Sequence, residues 1–297
     1  MRRFREWFAN PWGRPRFLVA FTALYLAWSI VPILVAIRFS FNEGRSRSTS
    51  QGWSLRWYTG DPDLSVLSDP TMYTALLQSL RLAAIAVLVT VPLGVALAIG
   101  LTRWRGRGSG TARGVSLATL VTPEIVMGTA LLLVFVNLLT FIQLGTIAQA
   151  IGHITFSLVF VVIIVRGRLL AIGPQYEEAA RDLGASQLQA VRLALLPMLV
   201  PAIVASGIIV FAISMDDFVI SNFLSSGTST DTVPVRIYAT GRTAPTPALN
   251  ALATVTLAFT IVIALVGFLL WRVVRATRGQ TGSTAREFAA LDAETIR

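Results

Sequence analysis

An all-α integral membrane protein with six transmembrane helices and both termini cytoplasmic is the fold class predicted by three features of this sequence. Apolar residues fill 54% of the 297 positions and charged residues 13%, which leaves too little polar surface to coat a soluble globule. Six apolar windows approach the roughly 20 residues a helix needs to cross about 30 Å of hydrocarbon. Arginines collect in alternate connections between those windows, and that asymmetry orients the chain.

The windows run 17–41, 73–102, 114–139, 151–171, 198–222 and 248–271. The first outlasts a signal-peptide core and lacks a small-residue cleavage site, so it is expected to stay as an anchor. Arginines 2, 3, 5, 14 and 16, then 103, 105, 107 and 113, then 166, 168, 181 and 192, then 272, 275, 278, 286 and 297 place 18 of the 25 on one side. The other side has Arg45, Arg47, Arg56, Arg236 and Arg242, so the richer side is expected to be cytoplasmic. The chain then divides into a cytoplasmic tail over 1–16, a six-span domain over 17–272 and a second cytoplasmic tail over 273–297. Outer loops 42–72 and 223–247, rich in Gly, Ser, Pro and aromatic residues, are either plain connectors or a surface for an extracytoplasmic partner.

All 25 basic residues are Arg. Without Lys there is no P-loop ATPase and no Schiff-base chemistry. Without Cys there is no thiol catalysis or cysteine-held metal. The lone His153 makes no multi-histidine metal site and is expected to be interfacial or hydrogen-bonded. The net charge of +10 does not indicate nucleic acid, because the arginines punctuate apolar runs and do not share one solvated face.

Between the fourth and fifth windows lies a segment too organised for a connector. Residues 175–183 favour a helix after Pro174, with Glu177 and Glu178 in its first turn where they complement the dipole. Gly184 supplies a left-handed stop, and Ser186 caps a second helix whose Leu188, Val191 and Leu195 share a face and which ends at Pro197. The result is a rigid helix–turn–helix on the cytoplasmic surface. Glu178-Ala179-Ala180, then Gly184 after three residues, then Leu196-Pro197, resembles the EAA loop of ABC importer permeases; Ala194 departs from it, standing where that pattern often has a larger apolar residue. The resemblance implies the type I ABC importer permease fold, with the loop docked on a separate ATPase that carries the ATP and Mg. This chain then needs no cofactor and no catalytic group of its own. Glu177, Glu178 and Asp182 are candidates to meet basic residues there, with Ala179 and Ala180 allowing close approach.

Of the 15 carboxylates, Glu124, Asp216 and Asp217 fall within predicted spans. An ionised group at the bilayer centre costs about 2.5–3.5 kcal/mol on insertion scales, so each should face protein or water. They are candidates for contact with a cationic solute, or alternatively satisfy local polarity, Glu124 beside Pro123. Adjacent helical residues lie about 100° apart, so one Asp can face a cavity while the other bonds a neighbouring helix.

Thr122-Pro-Glu-Ile-Val-Met-Gly128, Ser214-Met-Asp-Asp-Phe-Val-Ile-Ser221, Pro234-Val-Arg-Ile-Tyr238, Asn250-Ala-Leu-Ala-Thr254 and Leu55-Arg-Trp-Tyr58 resemble the second permease subunit of spermidine/putrescine importers. That resemblance implies a bacterial inner-membrane location, a second permease, two ATPase copies and a binding protein that delivers a polyamine. No span carries a mid-membrane Arg, which favours a cation over an anion. A permease for another small solute, a self-contained channel and an intramembrane aspartyl protease are the alternatives. The channel leaves the elbow unexplained, and adjacent Asp216 and Asp217 do not form a facing dyad.

Overall fold

The computed structural model describes residues 16–46, 48–104, 106–243 and 246–279. Most of both expected tails, 1–15 and 280–297, lies outside these. The described residues are helical apart from connections and one isolated antiparallel bridge, Asn42 to Trp53. Five helices are long and apolar enough to cross a membrane, and a bent pair makes a sixth if counted as one span.

Helix α1, Arg16–Ser40, is exposed along nearly its whole length and lies against α11. Residues 41–69 then fold as a compact loop around Trp57, which is fully buried and donates its indole N–H to the Asn42 carbonyl. A π turn, Arg56–Gly60, brings Arg56 onto Asp61 at 2.7 Å. The Arg56 guanidinium, followed by the Leu64 amide, holds the Asp61 carboxyl below its ordinary value. Helix α2, Pro70–Arg103, starts where Asp69 accepts from the Thr71 and Met72 amides and Pro70 takes the first turn.

The third predicted span is not straight. Helices α3, Ser109–Val121, and α4, Glu124–Asn137, meet at 108°. Pro123 explains the corner: it cannot donate in a continuing helix, and it holds Thr122 in extended backbone. Helix α5, Thr146–Ile172, is followed by α6, Gln175–Asp182, and α7, Gln187–Gln189. A π segment, Ala190–Leu195, joins α7 without interruption to α8, Leu196–Asp216. The expected stop at Pro197 is therefore corrected. Proline follows directly on the π segment, whose wider turn relieves the ring's clash with the preceding carbonyls, so the helix runs through it. The fifth span accordingly runs Gln187–Asp216 and does not continue to 222. Helices α9, Val219–Leu224, α10, Val233–Thr243, and α11, Pro247–Gly279, complete the described chain.

The core is the mutual packing of α2, α5 and α8, with Val91, Val95, Val161, Val165, Leu195 and Leu199 buried between them. Gly94 sets the closest approach, since a Cβ there would lie 2.6 Å from the Val161 Cβ. A second cluster, with Trp57, Met72, Val233 and Leu252, ties the 41–69 loop to α2, α10 and α11. The loop and the α9–α10 link gather at one end of the bundle, and α6 at the other.

Candidate functional site

At the α6 end, local chemistry builds the elbow that the sequence foretells. Gly173, at φ +75°, ends α5, and α6 follows at once with Glu177 and Glu178 in its first turn. The Gly184 amide donates to the Arg181 carbonyl at 2.9 Å, and the Ala185 amide to the Ala180 carbonyl at 3.1 Å. This pair of bonds is the Schellman arrangement, which needs the left-handed φ of +90° found at Gly184. Ser186 then makes a reciprocal cap. Its hydroxyl accepts from the Gln189 amide at 3.3 Å, and Gln189 Oε1 accepts from the Ser186 amide at 2.8 Å.

The side chains divide differently from the sequence expectation. Leu195 is fully buried, yet Leu188, expected on the same face, is 77% exposed. The π segment causes this, because its wider winding delays the phase and turns Leu188 away from the face that carries Val191 and Leu195. Leu183 is 90% exposed, and Tyr176 and Leu193 are also exposed, so apolar side chains project from the elbow. Glu178, Ala179, Asp182 and Gly184 are exposed with them, whereas Ala180 and Pro197 are half-buried. Glu177 is also half-buried and pairs with Arg103 from the end of α2 at 2.8 Å, a contact that splints the elbow to the bundle.

Near the other end, the three singled-out carboxylates take three different settings. Asp216 closes α8, is exposed, and lines a cavity of about 800 Å³ between α8, α10 and α11. Phe218 and Tyr238 share that wall with ring centroids 4.8 Å apart, and Ile213, Ile237 and Leu257 make most of the rest apolar. Asp217 is buried in the two-residue gap between α8 and α9. Its Oδ2 accepts from the Ser221 amide and hydroxyl, both at 2.7 Å, so it caps α9 from within the gap. Glu124, half-buried at the start of α4, brings its carboxyl within hydrogen-bonding reach of Asp217. One Asp faces a cavity and the other is bonded internally, but the cause is the end of α8 at Asp216, which leaves Asp217 in extended backbone, and not the 100° offset of two helical neighbours.

His153, and a glutamine pair to which the sequence alone drew no attention, complete this region. His153 is buried, with Nδ1 2.7 Å from Ser214 Oγ and Nε2 3.0 Å from Ser221 Oγ and 3.2 Å from Asp217. The expected hydrogen-bonded role of His153 is thus found. Gln149 donates to the Ser221 and Thr230 carbonyls, each at 2.9 Å, and accepts from Gln78 at 2.8 Å. A signal was present, since Thr146, Gln149, His153 and Ser157 recur at three- and four-residue spacing along one face of an otherwise apolar helix. Among the described residues no group of three or more His, Cys, Asp or Glu could hold a metal ion. What remains is an apolar cavity with one unburied carboxylate and aromatic faces, suited to a cation with a hydrocarbon body.

Residues 90–278 match the family described as binding-protein-dependent transport system inner membrane component. The spermidine/putrescine transport system permease protein PotC of Escherichia coli K12 is 35% identical over 261 residues, 88% of this chain and 95% of PotC. The putrescine transport system permease protein PotI of the same strain is 34% identical over 267 residues, 88% of this chain and 90% of PotI. A chain from a bacterial ABC transporter that imports the acidic polysaccharide alginate superposes with a TM-score of 0.67 at 15% identity, covering 92% of this chain and 99% of its own; the likeness is one of fold.

Proposed function

The chain belongs to the binding-protein-dependent transport system inner membrane components, as a permease subunit of an ABC importer, and from that premise we propose that it forms half of a polyamine pathway driven by a separate ATPase. A second permease completes the pathway, an ATPase pair holding ATP and Mg works from the cytoplasm, and an extracytoplasmic protein delivers spermidine or putrescine. Both termini and α6 lie in the cytoplasm of a bacterial cell in this reading, which the arginine asymmetry and an even span count, taking the bent α3–α4 pair as one, support. The names of the PotC and PotI relatives support the solute class.

The observation that carries the reading is the elbow. It has a glycine stop and a reciprocal serine cap at its turn, an ion pair to the bundle and apolar side chains turned outward, which suits a lever seated in a partner's groove and not a solvated loop. Glu178, Ala179, Asp182 and Gly184 face the ATPase together with Leu183 and Leu188. Glu177 holds the lever to Arg103, and Pro197 lies where it joins α8. In the pathway, Asp216 meets the ammonium group and the aromatic wall takes the methylene chain. Asp217 and Glu124 lie behind it, shaping the broken helix.

The test is ATP-dependent uptake of labelled spermidine and putrescine by vesicles holding the chain with its neighbouring subunits. Deleting 177–184 should abolish co-purification of the ATPase while membrane insertion persists, and Asp216→Asn should weaken uptake at subsaturating polyamine. ATPase retained by the deletion variant would end the coupling reading. A permease for another small solute is the second reading, favoured by the mostly apolar cavity wall. Uptake undiminished by excess unlabelled polyamine would select it.

A further inference from the structure

The break between α8 and α9 is spanned by one imidazole. Ser214 lies before the gap, Asp217 in it and Ser221 beyond it, and His153 of α5 reaches all three at 2.7, 3.2 and 3.0 Å. The hydrogen-bond network places one ring proton. The single Ser221 hydroxyl proton goes to Asp217 Oδ2, so Ser221 Oγ can only accept from His153, which places a proton on Nε2. Nδ1 shares its hydrogen bond with the Ser214 hydroxyl. The ring thus grips α8 with one nitrogen and α9 with the other.

The grip on Ser214 has a directional result. Ser214 and Asp216 are two positions apart on α8, about 200° around the axis. Holding Ser214 against α5 therefore turns Asp216 to the far side of α8, where the cavity lies. Asp217 adds to this by capping α9, which keeps helical winding from running through the gap.

We propose that His153 is a positioning residue for solute capture, fixing the rotation of the end of α8 so that the Asp216 carboxylate opens onto the cavity. The inference rests on the reading of Asp216 as the group that meets the solute, and it adds a residue that never touches the solute.

The test uses the full reconstituted complex and labelled spermidine, measuring the half-saturating concentration and the maximal rate of uptake for His153→Leu, His153→Gln, Ser214→Ala, Asp216→Asn and the pair His153→Leu/Asp216→Asn. Asp216→Asn should raise the half-saturating concentration on the order of tenfold, the cost of one charged hydrogen bond. His153→Leu and Ser214→Ala should raise it in the same direction with the maximal rate largely kept. The pair should be no worse than Asp216→Asn alone, and His153→Gln, which keeps a donor and an acceptor, should recover part of the loss. If His153→Leu fails to assemble, Ser214→Ala combined with Asp216→Asn carries the same comparison. Effects that multiply in the double variant, or that fall on the maximal rate alone, overturn the positioning role and leave the Asp216 reading standing. An inert Asp216→Asn, measured by itself, overturns both.

Discussion

Replacing Gly184 isolates the stiffness of the elbow from its shape. A Cβ at this position would meet nothing within 4 Å in the chain, so the substitution acts through φ alone. Alanine in the left-handed region costs about 1–2 kcal/mol. Asparagine, whose side chain satisfies itself locally, costs less, and β-branched valine costs more. An eight-residue helix such as α6 has little stability of its own, so this sum falls on the cap. A loss of about 1–2 kcal/mol lowers the ratio of capped to uncapped elbow by roughly 5- to 30-fold, which is the ceiling on the loss of affinity. If the ATPase binds only the capped form, its affinity should fall in the order Gly, Asn, Ala, Val, with the loss for Ala measurable and no greater than that ceiling. A fluorescence titration of labelled ATPase against the chain in nanodiscs reads this order directly. Equal affinity across the series would refute the need for a rigid elbow, and a loss shared equally by Asn and Val would show that the ATPase senses the side chain and not the backbone.

Ser186→Ala removes one half of the reciprocal cap and should cost the second arm of the elbow about 1 kcal/mol, read as a several-fold weaker ATPase titration. Gly94→Ala forces its Cβ onto the Val161 Cβ and should destabilise the bundle by about 1–3 kcal/mol in denaturant titration, with Val161→Gly restoring part of it. The ionised Asp61, lowered by Arg56, stabilises the 41–69 loop above its ordinary pKa of 3.8, and that contribution is lost as pH falls through the lower folded value. Protease resistance of the loop should therefore drop in acid for the wild type. Asp61→Asn should show a weaker loop at neutral pH and no such acid step.

The parts of this molecule that follow local rules were readable before any coordinates. Gly184 and Ser186 act within four residues of themselves, so the elbow's turn and caps stand where the sequence put them. The spans were readable because hydrocarbon thickness fixes their length. Contacts made across the bundle were not. The pairing of Glu177 with Arg103, and the meeting of Glu124 with Asp217, depend on how α2, α4 and α8 cross. The outward turn of Leu188 depends on a winding change that no residue type announces. His153 stood out only as the sole histidine, although the polar stripe it shares with Gln149 and Ser157 marked the face that receives α2 and α8. The helix break at Asp217 lacks both proline and glycine, the usual punctuation, and comes from a carboxylate taking the place of backbone partners.

The π segment before Pro197 amounts to about one surplus residue wound into an otherwise continuous rod. Anywhere else along Gln187–Asp216, losing a residue would swing everything on one side by about 100° against the other. Losing one here would merely tighten the coil to ordinary pitch, leaving α8 in register with its neighbours. Within this rod, a one-residue deletion in Ala190–Leu195 is therefore the change that would retune the lever's seating without reopening the bundle.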